Sequence, residues 1–362
     1  MAGAQQVHRV DGAVRRLVGG TQTSVSGLWV VLHRVARDTS GPLDSVRADG
    51  GGKYAFRFTP PAADSGIYFT SVMFAGVPYF TAPFTAPVVT GKDAEIIVYD
   101  TTSAGESVHT RSRHVIVFSA ENLRGRRIAE VFWIENTGTR TRVAKSGEAT
   151  WAAPLPEHAT DVTVDAGDLA QDAVVTRNGR LEVRAPVAPG LRQLQISYTM
   201  PPDVTPLLIP LADTTMVFEV LLEDAGAAVV GPKLGAEKPV AVQQRNFQRF
   251  VANDVPPGSV YTITLPRTGP PVARGVFFGV VVGFAALALF GGLLFAARRR
   301  PLSVVVVEER DAASIARAIA VLDARHAGRT EMSDAERAEY TRERDRLKAE
   351  LTAALADRGA RS

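Results

Sequence analysis

The stretch ADGGGKYAFRF, residues 48–58, decides the fold class. Asp49 to Gly52 form a turn-prone cluster, and the residues after it alternate, so that Tyr54, Phe56 and Phe58 fall on one face and Lys53, Ala55 and Arg57 on the other. A period of two marks a half-buried strand. The apolar run Leu28–Val35 precedes the turn, so the reading is a hairpin closed by residues 49–52. Working outward, Val10–Val14, Tyr68–Phe74 and Glu95–Tyr99 are further short runs bounded by Gly, Pro, Asp and Ser. This pattern predicts an antiparallel β-sandwich over residues 7–102.

Three features of this region resemble the carboxypeptidase regulatory-like domain. They are the order V-x-G-x-V at Val10 to Val14, an apolar strand after Ser26-Gly27, and the D-G-x-Y-x-F type of turn and strand at Asp49 to Phe56. The resemblance implies a transthyretin-like seven-stranded sandwich, also described as a carbohydrate-binding-like fold. It further implies a structural or recognition role rather than peptidase activity. Two extra glycines in the turn and the aromatic run YFTSVMFAGVPYF depart from the family pattern. Tyr68, Phe69, Phe74, Tyr79, Phe80 and Phe84 form the densest aromatic group in the chain. Strand alternation sends about half of such rings into a core, and the alternative is a ligand surface at the GVPYF loop around Pro78.

The polar stretch TTSAGESVHTRSR, residues 101–113, reads as a linker into a second β-sandwich-like module over 107–265. Its strands are His114–Phe118, Ala129–Ile134, Leu181–Val183, Leu191–Tyr198, Met216–Leu222 and Val260–Leu265. The turns between them are marked by Asn136-Thr-Gly138, Pro154 to Pro156, Asn178-Gly179 and Pro189-Gly190. No helix of ordinary length is expected before residue 275. The stretch from Pro256 to Arg274 contains five prolines and reads as a semi-rigid spacer, with 266–274 as the stalk.

GVFFGVVVGFAALALFGGLLFAA, residues 275–297, is 23 residues long and carries no charge. About 20 apolar residues span a bilayer, so this is read as a transmembrane helix. Arg298, Arg299 and Arg300 follow it directly and place the C-terminal tail in the cytoplasm of a bacterial cell, with the preceding region outside. Export of that region calls for a signal peptide. MAGAQQVHRVDGAVRR has no apolar core, while Ala2-Gly3-Ala4 before Gln5 looks like the end of one, so Met1 is read as an internal or misassigned start. An inverted topology is the alternative. Gly275, Gly279 and Gly283 share one helix face, which allows either homodimeric helix pairing or plain lipid contact.

The tail, 298–362, reads as a small α-hairpin. Ile315, Ile319, Leu322 and His326 recur at helical spacing before Gly328. A second helix starts at the Ser333/Glu336 capping box and lines Tyr340, Leu347, Leu351 and Leu355 along one face. So short a hairpin buries little by itself, which makes Ile315, Ile319, Leu322, Leu347 and Leu351 candidates for docking on an envelope or membrane protein or on a second copy of the chain, the alternative being a solvated hairpin that only anchors. The segment LDARHAGRTEMSDAERAEYTRERDRLKAEL is similar to short C-terminal helical motifs of bacterial membrane proteins, some of them assembly factors near cytochrome c maturation systems.

The 362 residues are 46% hydrophobic, with Lys+Arg 41 against Asp+Glu 38 and a net charge of +3, which argues against a general nucleic-acid binder. The absence of cysteine removes disulfides, thiolate metal sites, iron–sulfur clusters and cysteine nucleophiles. No GxSxG, SxxK, P-loop or GxGxxG motif occurs. The six histidines show no metal-binding spacing, although His109 and His114 lie close together in the linker and Asp161 to Asp172 forms an acidic loop that could hold calcium. Glu121, Glu130, Glu135, Asp161, Asp165 and Asp168 are the acids that a glycoside-cleaving site could draw on. The expected role is therefore non-enzymatic, without cofactor or metal: recognition or assembly at the cell envelope. The alternatives are an accessory factor of a membrane assembly system and a carbohydrate-binding surface module.

Overall fold

The computed structural model describes residues 6–36, 40–61, 64–104, 108–120, 125–145, 147–201, 204–242 and 245–266, together with the tail positions 322, 337, 340–342 and 344–347. The architecture is mainly β and divides into two compact units, the first built on the N-terminal residues and the second beginning at residue 107.

The first unit contains β1 (His8–Val18), β2 (Thr21–Ser24), β3 (Trp29–Val35), β4 (Ser40–Arg47), β5 (Lys53–Phe58), β6 (Ile67–Phe74), β7 (Val77–Phe80), β8 (Val88–Val98) and β9 (Thr101–Thr102). One sheet is centred on β1, which runs antiparallel to β2 and β5 and parallel to β8. The other has the order β4-β3-β6-β7. Alternation turns Val10, Val14, Phe56 and Ile96 of the first sheet and Val30, Leu32 and Val72 of the second into the core. Tyr54 ties the two sheets together, its hydroxyl 2.8 Å from Thr70 Oγ1 and donating to the Ala94 carbonyl at 2.7 Å. Gly12 makes room for this ring, because a Cβ there would sit 2.4 Å from Tyr54 Cζ.

The turn at 49–52 is present, but it does not close a hairpin. β5 pairs with β1, whereas β4 pairs with β3, so the turn carries the chain from one sheet to the other. The side chain of Asp49 accepts from the amides of Gly51 and Lys53, and Gly52, at φ +75°, accepts from Val14 through its carbonyl at 2.8 Å. These bonds fix the turn against β1 rather than between neighbouring strands. The strand between Leu28–Val35 and the turn, β4, has no alternating pattern because it is exposed along most of its length. The GVPYF segment is an edge strand rather than a loop, reached from β6 through Ala75-Gly76, both at positive φ. Of the six clustered aromatics, Tyr68, Phe69 and Tyr79 are buried, while Phe74, Phe80 and Phe84 are half-buried; Tyr68 and Phe69 are neighbours on opposite faces of β6 and both are buried, so alternation alone does not set the outcome.

The second unit contains β10 (Val108–Val117), β11 (Arg126–Asn136), β12 (Thr141–Arg142, whose Thr141 belongs with the first unit), β13 (Trp151–Pro154), β14 (Thr160–Gly167), β15 (Val174–Arg177) and β16 (Arg180–Val183). It continues through β17 (Gly190–Met200), β18 (Leu207–Pro210), β19 (Thr215–Leu222), β20 (Ala228–Val230), β21 (Leu234–Val242), β22 (Arg245–Val255) and β23 (Val260–Thr264). A seven-stranded sheet, β14-β17-β11-β10-β19-β22-β21, is antiparallel except for the central β10/β19 pair. Two three-stranded sheets, β13-β16-β15 and β18-β23-β20, contribute Trp151, Leu181, Ile209 and Tyr261 to a core shared with Phe132, Ile196 and Phe218 of the large sheet. Asn178-Gly179, both at positive φ, make the tight β15–β16 turn that the sequence announces.

Three expectations are corrected here. The supposed linker is strand from Val108 onward, because its polar residues Thr110 and Arg113 are buried with partners rather than solvated. The supposed calcium loop starts inside β14. The proline-rich spacer cannot begin at Pro256, since the amide of Gly258 donates to the Leu211 carbonyl and β23 pairs with both β18 and β20. The span 275–297, Gly275, Gly279, Gly283, Arg298, Arg299, Arg300, Ile315, Ile319 and Leu351 lie outside the described residues. Among the described residues no helix is long and apolar enough to cross a membrane.

Candidate functional site

β10 carries chemistry on both faces. Toward the core, Arg113 is 2% exposed and Glu130 of β11 is 0% exposed. Arg113 donates from Nε to Glu130 Oε2 at 2.5 Å and from Nη2 to Oε1 at 3.0 Å, while Nη1 donates to the Pro210 carbonyl at 2.8 Å. Tyr198 donates to Glu130 Oε1 at 2.6 Å. Burial, and then the Glu130 charge beside it, pushes the Tyr198 hydroxyl well above its ordinary pKa. The cluster is closed: each charge is answered within it, as a buried pair requires. A pocket alongside is lined in part by Thr110, Arg113, Phe132 and Asp213; Thr110 Oγ1 is engaged by the Trp151 indole at 3.2 Å, and burial raises the pKa of the Asp213 carboxyl.

On the opposite face, Ser112, His114 and Glu219 form a line. His114 and Glu219 are register partners across the parallel β10/β19 pair, with Nδ1 2.5 Å from Oε2. His114 Nε2 is 3.3 Å from Ser112 Oγ, and Arg249 Nε donates to Glu219 Oε1 at 2.5 Å. Burial raises the Glu219 pKa, but the His114 and Arg249 contacts outweigh it and hold the group at about 2. The order hydroxyl, imidazole, carboxylate has the form of a nucleophile, base and orienting acid. What acyl transfer also requires is a pair of free amides aimed at the developing oxyanion. Ser112 lies in the sheet interior, paired with Trp133 on one side and Val217 on the other, with a register shift between Thr110 and Ser112 on the β11 side. Within this line the imidazole of His114 is held between Ser112 and Glu219.

The acids singled out from the sequence are dispersed among separate partners. Glu130 is bound to Arg113 and Tyr198, Glu135 accepts twice from Arg111, and Asp168 accepts from the Gln193 amide. Asp165 accepts from Ser197 and Thr163, and burial raises its pKa. Glu121 lies outside the described residues. His109 faces Glu135 at 3.7 Å and is not joined to His114, while His33 Nε2 is 2.8 Å from Ser71 Oγ on the neighbouring strand. Among the described residues no three His, Asp or Glu side chains could hold a metal ion.

The outward face of the β4-β3-β6-β7 sheet was not legible as a site from the sequence. Trp29 is 56% exposed and Met73 is 50% exposed. The Arg47 guanidinium carbon lies 5.3 Å from the Trp29 ring centroid, in cation–π contact. The available signal was parity: Trp29 is out of phase with the buried Val30 and Leu32 of the same strand. In the tail, Leu322 and Leu347 are buried, and positions 337, 340–342 and 344–347 are helical, with Thr341 donating to the Arg337 carbonyl at 2.8 Å. Neither a family model nor a curated protein matches the chain.

Proposed function

We propose that this protein is a non-enzymatic, membrane-anchored recognition or assembly component of a bacterial cell envelope. In this reading the first unit is a carboxypeptidase regulatory-like module, the two β units lie outside the cytoplasm, residues 275–297 cross the bilayer, and the tail docks on a partner through its apolar stripe. The observation that carries the reading is the contrast between buried charged clusters and an exposed aromatic surface. Charged side chains at the clusters with catalytic form are committed to one another inside the sheets, whereas Trp29, Arg47 and Met73 are exposed at one end of the outer face of the four-stranded sheet.

The test is quantitative co-purification of the full-length protein from its native membrane, beside a variant ending after Arg300. Partners lost with the tail are expected for an assembly role and would extend to a cytochrome c maturation-type machinery if its components are among them. Partners retained by the shorter chain place recognition in the β units or the span. An empty result in both samples overturns the assembly reading.

One contact opposes the topology. Arg344 donates to the Ser40 carbonyl at 2.6 Å, which requires both residues on one side of any bilayer. The chain has no cysteine, so Thr21→Cys and Arg346→Cys, both at exposed positions, can be labelled individually with an impermeant thiol reagent in intact spheroplasts. Labelling of position 21 alone is expected for the single-pass arrangement; labelling of both or of neither, as the Arg344–Ser40 contact would have it, replaces that arrangement.

A further inference from the structure

We infer that the outward face of the β4-β3-β6-β7 sheet binds an acidic glycan, a uronic-acid-bearing saccharide, with Trp29 as the stacking platform and Arg47 as the carboxylate donor. This deepens the recognition reading by assigning the ligand class of one surface.

Strand register builds the platform in two parallel rows. Arg47 pairs with Trp29, Met73 lies at the next position after the Val30–Val72 pair, and Met73 pairs with Pro78. Beside this row Ser45 pairs with Val31, and Val31 with Ser71. Four strands at roughly 4.8 Å spacing give a surface about 14 Å wide, longer than one pyranose ring. The exposed part of this face is the end carrying Arg47, Trp29 and Met73, with the Ser45 hydroxyl beside it; Ser71 Oγ is already engaged by His33 Nε2 at 2.8 Å. Sugar rings make the matching demand, with an apolar C–H face for the indole and hydroxyls around the rim.

Charge selects the acidic member of this class. Arg47 makes its cation–π contact with Trp29, and among the described residues its guanidinium has no carboxylate or carbonyl partner. The indole holds the fork in place, so a ligand carboxylate meets donors that are already oriented. An acidic peptide fits less well. Extended peptides take backbone hydrogen bonds from free sheet edges. The edges flanking this face are interrupted by Pro42 in β4, where the register shifts, and by Pro78 in the four-residue β7.

The test uses the full-length protein in detergent, titrated calorimetrically with an oligogalacturonate, its methyl ester, and poly-glutamate of matched charge. Saturable, salt-sensitive binding of the oligogalacturonate is expected, with weaker binding of the ester and none of poly-glutamate. Trp29→Ala should lower oligogalacturonate affinity at least about tenfold, the loss of a stacking contact. Arg47→Ala should remove the preference for acid over ester while leaving ester binding in place. Both substitutions are at exposed positions, and an unchanged melting midpoint confirms that the variants fold. Absence of saturable binding at millimolar saccharide, wild-type affinity in Trp29→Ala, or equal binding of poly-glutamate overturns the inference. Failure here together with partners in the co-purification leaves the assembly reading standing, so the two fail separately.

Discussion

Gly12 has ordinary backbone angles, and its constraint is space: a Cβ would lie 2.1 Å from the Ala94 carbonyl oxygen as well as against the Tyr54 ring. Gly12→Ala is therefore expected to cost about 1–3 kcal/mol, read as a lowered denaturation midpoint, with the Tyr54–Thr70 bridge disturbed. Glu130→Ala leaves Arg113 charged and unanswered in the core, and a loss of about 3–5 kcal/mol is expected. Arg113→Met with Glu130→Leu should recover most of that loss, because the desolvation penalty disappears with both charges. Glu219 gives the pH dependence. Its folded pKa, about 2, lies below the ordinary 4.5, so its stabilising contribution is complete above about 4.5 and is lost as pH falls toward 2. That contribution is on the order of 3 kcal/mol, and Glu219→Gln should flatten the denaturant midpoint over this acid range relative to wild type.

At the level of elements, the sheets end in strands that resist further pairing. β21 is exposed over most of its length, carries Glu237, Lys238 and Pro239, and breaks register between Glu237 and Val240. β14, at the opposite edge, has two register shifts. Charges, proline and bulges are the devices that keep an edge from recruiting another chain. Replacing both Lys238 and Pro239 by Val should therefore produce concentration-dependent association in light scattering while the far-ultraviolet circular dichroism stays unchanged. The central strands are different, since β10 and β19 are paired on both sides and bury both faces. β19 therefore reads as an apolar run interrupted by Glu219, whereas β10 joins a polar half to the apolar Val115–Val117; Arg113, His114 and Glu219 each need a partner from another strand.

For the whole molecule, two units with separate cores predict two unfolding events. Calorimetry of the full chain should show Gly12→Ala lowering one transition and Glu130→Ala the other, by roughly 4–8 °C per kcal/mol for a domain of about 100 residues and less for a larger one. Movement of both transitions together in either variant would show that the units unfold as one.

The sequence by itself determined what rests on local periodicity and turn chemistry. The alternation of Tyr54, Phe56 and Phe58 located β5, Asn178-Gly179 located the β15–β16 turn, and the runs 129–134 and 216–222 located β11 and β19, because these signals act over a few residues. The tertiary structure alone decided which strand meets which. The turn at 49–52 looked like a hairpin, yet β5 pairs with β1, which lies far away in the chain, since burying the Tyr54 face against the second sheet outweighs closing a loop between neighbours. The same holds for the polar run at 108–113. Its side chains look solvated until Glu130 and Trp151 arrive from other strands to answer Arg113 and Thr110, and only that long-range pairing makes their burial affordable in free energy. Trp29, an apolar residue left outside, is the converse case: its exposure is set by the phase of β3 within a sheet whose partners the local sequence does not name.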